Sequence, residues 1–383
     1  MKIAILYGAK CLTFRGGFDF ADIWTDPKGL TGSELGLVKI ARGLAGLGHD
    51  VTIIAPGSTG ELDGIPLMPS AKGWAGDVAL AINEPDLLRG VEAKLRCCDY
   101  WLNEFTHVKL GFHEHVDQFY CPSRPHLKMV QDCWRDVEAL PGGAFAGQYD
   151  ASQEPELGKW RANELGADPG DYDESIPKVQ GRVVYISSPD RGLHRLLEQW
   201  PRIKAAVPHA HLKVFYRLEP WLRAFDDTPW FPPVEQVRNR ALYVEECLRR
   251  IDQGPGREAL GIEICDSVSR EQLAREMREA EVLAYPCETV SWSEGFSCST
   301  AEGCTAGCAV VVTDCDALGD VYRVLDPTPV GQWDQWRERV VRALTDSEFR
   351  NDLVARGTEL AKTLTWSAHV DRLLTAWAEV GAK

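Results

Sequence analysis

Short apolar runs alternate with helical periodicity along most of the chain. Lys2-Ile3-Ala4-Ile5-Leu6-Tyr7 predicts a buried strand, and Leu35, Val38, Ile40, Ala41, Leu44, Ala45 and Leu47 recur on one helix face. Gly48 stands where that helix needs a C-cap, and Val51–Ala55 reads as the next strand. A strand, crossover helix and parallel strand put the intervening loop, with Gly29-Leu30-Thr31-Gly32-Ser33-Glu34, at the carboxyl edge of a sheet, where ligands bind. Further strands are expected at Val78–Ile82, Asp99–Phe105 and Gln118–Cys121. Helices are expected over about Pro85–Leu95 and Pro125–Trp134, and Pro141-Gly142-Gly143 forms a closing turn. The stretch 147–178 is polar and rich in Pro, Gly and Asp.

A second alternation follows. Strands are predicted at Arg182–Ser187, Leu212–Tyr216, Ile262–Cys265, Val282–Tyr285 and Ala309–Thr313. Leu193, Leu196, Leu197, Trp200 and Ile203 mark a helix, Arg270–Ala280 another, and 332–344, 347–363 and 366–380 finish the chain. A polar helical insert with Trp221, Trp230 and Phe231 fills about 218–253. The fold class is therefore α/β, two Rossmann-like β/α/β domains facing a central cleft. The expected division is 1–145, a linker or insertion at 146–180, a second domain at 181–365, and a last helix at 366–383 crossing back to the first domain.

With 383 residues the chain is long enough for two domains. A net charge of −15 argues against a dedicated binder of nucleic acid or anionic membrane, since that field repels phosphate. The start, Met1–Gly8, has an apolar run too short for a signal-peptide core, and no run approaches a membrane span, so a cytoplasmic setting is expected. The 12 cysteines include no Cys-x-x-Cys pair, which points to buried thiols in a reducing compartment rather than zinc or disulfides. The 13 tryptophans suit either core packing or aromatic platforms.

No G-x-G-x-x-G follows a leading strand, and no Walker A, G-x-S-x-G or H-E-x-x-H motif is present. His113-Glu114-His115 has the residue types of a metal site but no evident third ligand, and a solvated loop explains it as well. The informative segment runs from Ser293 to Gly303. It places Phe296, Ser297, Cys298 and Ser299 at a helix N-terminus, where free amides and the dipole attract phosphate. Glu294 and Glu302 lie eight residues apart; a carboxylate can accept from two vicinal hydroxyls, so the pair suits a sugar and a ribose beside an anion site. Ser299-x-x-Glu302 equally fits a capping box, in which Glu302 only satisfies a backbone amide.

This segment, Glu-Gly-Phe-Ser…Glu-Gly-Cys-Thr-Ala-Gly-Cys-Ala-Val-Val, resembles the E-x7-E region of retaining GT-B glycosyltransferases of the glycosyltransferase family 4 (group 1) type. Gly29–Glu34 with Gly48-His49-Asp50-Val51 resembles that family's glycine-rich loop and following strand. Ser187–Leu193 with Pro208-x-Ala210-x-Leu212 resembles the opening of its donor domain. Asp117–Ser123 and Pro141-Gly142-Gly143 resemble two further family segments, so the likeness covers most of the chain.

The resemblance implies a hexosyltransferase that moves a sugar from a UDP- or GDP-sugar, UDP-glucose being one such donor, to a hydroxyl acceptor with retained configuration. It implies that Gly32 lets backbone approach donor diphosphate or acceptor. Arg191 stands where the family has a diphosphate-neutralising Lys, and a preceding family Arg falls at Ser187 or Ser188, where hydroxyl or backbone donors would substitute. Glu294 would touch the transferred sugar, Phe296, Ser297 and Cys298 would present amides, and Glu302 would hold the ribose. Ser297 replaces a common family glycine. Glu104 or His107 would reach the sugar 6-hydroxyl or the acceptor.

No cofactor or essential metal is implied, and no convincing D-x-D motif stands out. The acceptor would be a glycan, a lipid-linked precursor or a small metabolite. A hydroxylated DNA base is a further acceptor class that the net charge disfavours. The rival readings are a nucleotide-sugar-binding protein without transfer activity, or a GT-B-like epimerase or phosphorylase.

Overall fold

The computed structural model describes residues 1–8, 23–27, 29–102, 112–135, 157–223, 232–288 and 294–381. Glu104, His107, Ser293, Trp230, Phe231 and the Pro141-Gly142-Gly143 turn lie outside the described residues. The chain divides into two compact units, one of residues 1–24, 30–166 and 364–383, the other of 25–29 and 167–363.

The first unit opens with β1 (Lys2–Tyr7), α1 (Gly32–Gly46), β2 (Asp50–Ile54), β3 (Gly60–Leu62), β4 (Ile65–Met68), β5 (Ala75–Ile82) and β6 (Glu92–Asp99). It continues with β7 (Gln118–Cys121), α2 (Arg124–Arg135) and β8 (Trp160–Ala162). Its sheet has the order β3-β4-β2-β1-β5-β6-β7-β8, parallel except for the β3–β4 hairpin. β1 is buried from Ile3 to Tyr7, as a strand covered on both faces must be.

Three expected segments differ here. The predicted helix over Pro85–Leu95 is only a 3-10 turn at Pro85–Leu88, and strand β6 occupies Glu92–Asp99. Within β6 the polar positions Glu92, Lys94 and Arg96 alternate with Ala93, Leu95 and Cys97, which is the period of a strand. The strand expected at Asp99–Phe105 thus ends where it was to begin. The 146–180 segment also carries more structure than a linker: β8 pairs with β7, and Val179 opens the next sheet.

The second unit contains β9 (Val179–Tyr185), α3 (Leu193–Ala206), β10 (His211–Phe215), α4 (Leu218–Arg223), α5 (Pro232–Gln253), α6 (Arg257–Leu260) and β11 (Ile262–Cys265). It continues with α7 (Arg270–Glu279), β12 (Ala280–Tyr285), α8 (Cys298–Thr305), β13 (Ala309–Asp314), α9 (Leu318–Val321) and β14 (Thr328–Pro329). α10 (Trp333–Thr345) and α11 (Ser347–Ala361) complete it, and α12 (Trp366–Glu379) belongs to the first unit. The sheet order is β11-β10-β9-β12-β13-β14, all parallel. Counted from β9 this is 3-2-1-4-5-6, the doubly wound order whose direction reverses between its first and fourth strands. Trp200 and Trp336 are fully buried, their indole N–H groups donating to the carbonyls of Leu260 and Val311, so these tryptophans serve packing.

α12 is fastened to the first sheet. His369 Nε2 lies 2.8 Å from Asp99 Oδ2 at the end of β6, both side chains fully buried. The Trp101 indole donates to the other Asp99 oxygen at 2.6 Å. Gly36 and Gly43 make room on α1: a Cβ on Gly36 would sit 2.9 Å from Trp366, and one on Gly43 3.0 Å from Val370.

His126 of α2 is buried completely, its Nε2–H donating to the Leu102 carbonyl at 2.9 Å. Burial lowers its pKa to about 4, and the Leu102 contact only partly offsets this. An unfolded histidine titrates near 6.5, so between these values the unfolded chain binds a proton that the folded chain refuses. The stability at stake is complete above about pH 6.5 and falls toward pH 4, by about 3 kcal/mol at about 1.36 kcal/mol per unit. Urea melts across this window should therefore lose stability faster for the wild type than for His126→Gln; equal slopes would refute the burial.

Candidate functional site

In the second unit the candidate residues gather at the carboxyl ends of β9, β12 and β13, with β9 and β12 flanking the reversal of strand order. After β9 the chain forms a 3-10 turn, Pro189–Arg191, stopped by Gly192 in the left-handed region at φ 108°. Pro at the first turn position and Gly at its end suit the two termini. After β12 the chain reaches Glu294, then Phe296, Ser297 and α8. Asp316, beyond β13, accepts the Glu294 N–H at 3.1 Å, and the Glu294 carbonyl accepts from Ala317. Both main-chain groups of Glu294 are thus fixed.

Its carboxylate is 2% exposed and faces two donors on one oxygen: Arg191 Nη1 at 3.2 Å and the Tyr285 hydroxyl. Burial works against the Arg191 charge, but Glu294, Tyr285 and Asp190 outweigh it and raise its pKa well above the usual value. The guanidinium is therefore permanently cationic. Burial, with Cys287 and Glu294, raises the Tyr285 pKa far above that of a free phenol, so Tyr285 stays a neutral donor. Ser187 donates to the Tyr285 oxygen at 3.0 Å, which makes a chain Ser187–Tyr285–Glu294–Arg191. The Ser188 hydroxyl donates to Asp190, and its carbonyl accepts from Tyr185 at 2.7 Å. Both serine hydroxyls thus spend their protons inside the unit.

Ser297, not Ser299, caps α8, its hydroxyl accepting from the Thr300 N–H. Its φ is 75°, the left-handed conformation that explains why glycine is common at this place in the family it resembles. The Tyr322 hydroxyl holds the Ser297 carbonyl at 2.8 Å. Ser297→Gly removes the conformational cost of about 1 kcal/mol and loses only a few tenths as a cap. The variant should melt at a slightly higher temperature; a clear drop would show that the Ser297 hydroxyl outweighs the strain. Phe296 is buried against Tyr322, with ring centroids 6.0 Å apart.

Glu302 is 7% exposed. Its Oε1 lies 2.6 Å from Arg270 Nη1 at the start of α7. Arg270 also donates to the Tyr172 hydroxyl at 2.9 Å and lies 3.6 Å from Asp171. Cys298 is the first residue of α8 and feels the charges of both ion pairs. Burial raises its pKa, Glu302 and Glu294 raise it further, and Arg191 and Arg270 pull it back. The thiol is neutral at ordinary pH, and all four charges act on this one spot.

Gly32 lies in the other unit, exposed at the first position of α1 beside the reversal of strand order between β1 and β5. Thr31 and Glu34 form a capping box there, and Asn83 at the end of β5 donates to Ser33 at 3.2 Å. His113, Glu114 and His115 sit on a 3-10 turn, where His115 contacts Arg89. Among the described residues no three His, Cys, Asp or Glu converge to hold a metal, and no helix is long and apolar enough to cross a membrane.

No protein-family model and no curated protein matches the chain. Solved structures do. A glycosyltransferase involved in avilamycin A biosynthesis matches at a TM-score of 0.61 and 15% identity, over 99% of this chain and 98% of that one. Sucrose-phosphate synthase from Thermosynechococcus elongatus matches at 0.64 and 12%, over 100% of both. Trehalose-6-phosphate synthase matches at 0.66 and 9%, over 99% of both. The chain has the GT-B fold. Within this GT-B chain, Tyr285, Arg270, Tyr172, Asp171 and Tyr322 are site neighbours that sequence reasoning missed. Two had a signal: Tyr285 puts a hydroxyl at the end of a buried strand, and Arg270 puts a cation at the helix end that disfavours it.

Proposed function

We propose that this protein is a retaining glycosyltransferase of the family 4 type, moving a hexosyl group from a UDP- or GDP-sugar to a hydroxyl acceptor. The observation that carries this reading is the Arg191–Glu294 pair set beside the N-terminus of α8, at the strand-order reversal of a 3-2-1-4-5-6 sheet. A diphosphate placed there meets a fixed guanidinium and the first amides of a helix, which have no intrahelical acceptors.

In this reading Arg191 and the amides of Ser297 and Cys298 stabilise the charge that develops on the leaving diphosphate. No resident metal is required for that. Glu294, oriented by Tyr285 and Arg191, accepts from hydroxyls of the transferred sugar, and Glu302 accepts from the ribose. The bond from the anomeric carbon to the phosphate oxygen breaks, and the acceptor oxygen bonds to that carbon on the same face. The acceptor proton passes to the departing phosphate oxygen, so no enzyme nucleophile is consumed. Gly32 lets backbone approach the diphosphate or the acceptor. Glu104 or His107 contacts the sugar 6-hydroxyl or acceptor. The acceptor is a glycan, lipid-linked precursor or small metabolite, met in the cytoplasm.

A panel of UDP- and GDP-sugars, scored by thermal shift and then by mass spectrometry of products, tests the proposal. Stabilisation by one donor, with slow hydrolysis of that donor when no acceptor is added, is the expected result. Binding without turnover would favour a binding protein, and no stabilisation by any nucleotide sugar would refute the reading.

A further inference from the structure

We propose that the Arg191–Glu294 pair distinguishes the donor nucleotide sugar from the nucleoside diphosphate left after transfer, Glu294 being the group that drives this product out; the proposal rests on the nucleotide-sugar reading above. The two residues are fixed independently. Glu294 is 2% exposed, and its main chain is held on both sides, the N–H by Asp316 at 3.1 Å and the carbonyl by the Ala317 N–H at 3.1 Å. Arg191 ends a 3-10 turn closed by Gly192, where an added Cβ would lie 2.0 Å from the Pro286 carbonyl oxygen. The carboxylate oxygen that meets Arg191 Nη1 at 3.2 Å also takes the Tyr285 hydroxyl. The guanidinium is 31% exposed, so a ligand reaches it. An anion drawn to Arg191 therefore approaches a carboxylate that cannot withdraw.

The side-chain field at this spot is not that of a simple anion site. Two carboxylates, Glu294 and Asp190, act on the one guanidinium. At Cys298, the first residue of α8, Glu302 and Glu294 act more strongly than Arg191 and Arg270. Attraction for phosphate thus comes from the α8 amides and dipole, whereas the side chains on balance oppose added negative charge. A nucleotide sugar suits this balance. Each of its phosphates carries one negative charge, and its sugar hydroxyls donate to Glu294. Transfer changes both terms. The bond from the anomeric carbon to the phosphate oxygen breaks, the acceptor proton passes to that oxygen, and the hydroxyls leave with the sugar. The terminal phosphate now has a second ionisation at about pH 6, so at neutral pH it sheds that proton to solvent. The product brings a further charge toward Glu294 and no donor for it. Like charges at close range disfavour each other, and a buried acceptor without a donor adds to the cost.

Isothermal titration calorimetry of the full chain tests this, with the nucleotide sugar that the panel selects and its own diphosphate, UDP or GDP. Glu294→Gln removes the charge and keeps the shape. It should bind the diphosphate at least about fivefold more tightly than the wild type does, while binding the nucleotide sugar no more tightly. Product inhibition of the residual turnover should strengthen by the same factor. General loosening of the fold weakens both ligands, so it cannot produce a tighter product complex. Unchanged or weaker diphosphate binding by Glu294→Gln overturns the proposal, and so does equal tightening of the nucleotide sugar. If Glu294→Gln does not fold, the wild type decides. It should bind the β-methyl ester of the diphosphate, which lacks the second ionisation, at least as tightly as the diphosphate itself; tighter binding of the free diphosphate overturns the proposal. In either failure, a nucleotide sugar that binds and turns over leaves the reading above intact. Failure of every nucleotide sugar and diphosphate to bind would refute that reading, and this proposal with it.

Discussion

Arg191→Ala is expected to lower turnover of the nucleotide sugar by roughly 10²–10³, the usual cost of removing one fixed donor to developing charge. The guanidinium is the cation fixed against Glu294, 3.2 Å away. Removing it costs twice. In the proposed reaction the leaving diphosphate loses a charge already in place, and Glu294, 2% exposed, keeps only the Tyr285 hydroxyl as side-chain donor among the described residues. An under-satisfied buried acceptor costs about 1–3 kcal/mol, and Arg191 is itself 31% exposed, so water partly fills the gap and the lower figure applies. The chain should therefore remain folded in a thermal melt while kcat collapses. Arg191→Lys, which keeps the charge but not the planar fork, should recover part of the rate. Wild-type turnover in Arg191→Ala would discard this site.

Gly192→Ala should be the most damaging single methyl group in the second unit. Gly192 follows Arg191 at φ 108°, and a Cβ there would lie 2.0 Å from the Pro286 carbonyl oxygen and 3.2 Å from the Cys287 Cα. Neither is a flexible side-chain end; both are backbone just beyond β12. Left-handed strain of about 1–3 kcal/mol adds to overpacking of about 1–3 kcal/mol, so a loss of about 2–6 kcal/mol is expected. That is a large part of the about 5–15 kcal/mol that holds a typical domain folded. Gly256→Ala is the control: its φ of 84° carries strain, but nothing lies within 4 Å of its Cβ. Urea melts should rank the two variants clearly. If Gly192→Ala melts with Gly256→Ala, the Arg191 turn does not pack on Pro286 as described.

Much of the architecture was legible because burial leaves a periodic imprint. The last three helices, expected at 332–344, 347–363 and 366–380, stand at Trp333–Thr345, Ser347–Ala361 and Trp366–Glu379. Apolar runs such as Ala309–Thr313 fall inside β13 for the same reason. The failures were short or mixed segments. β6 carried its period of two openly but was masked by the leucines after Pro85. The β3–β4 hairpin had its signal in Asp63-Gly64, both at positive φ, which is the pattern of a tight two-residue turn. β8 has three residues and is defined only by pairing with β7.

The site divides in the same way. Local chemistry in the chain pointed to Glu294, Glu302 and the α8 N-terminus as candidates, because phosphate and sugar hydroxyls call for free amides and acids close together, whereas Arg191 entered through the family resemblance. It could not say which acid meets which cation. Glu294 meets Arg191 from 103 residues away, and Asp99 meets His369 across 270. Such pairings follow from strand order, which brings loops to one sheet edge irrespective of their distance along the chain. Residue types and periodicity were therefore written in the sequence itself, whereas the tertiary structure alone decided partners. A charge's partner depends on what the packed sheets leave beside it, and no local pattern encodes that.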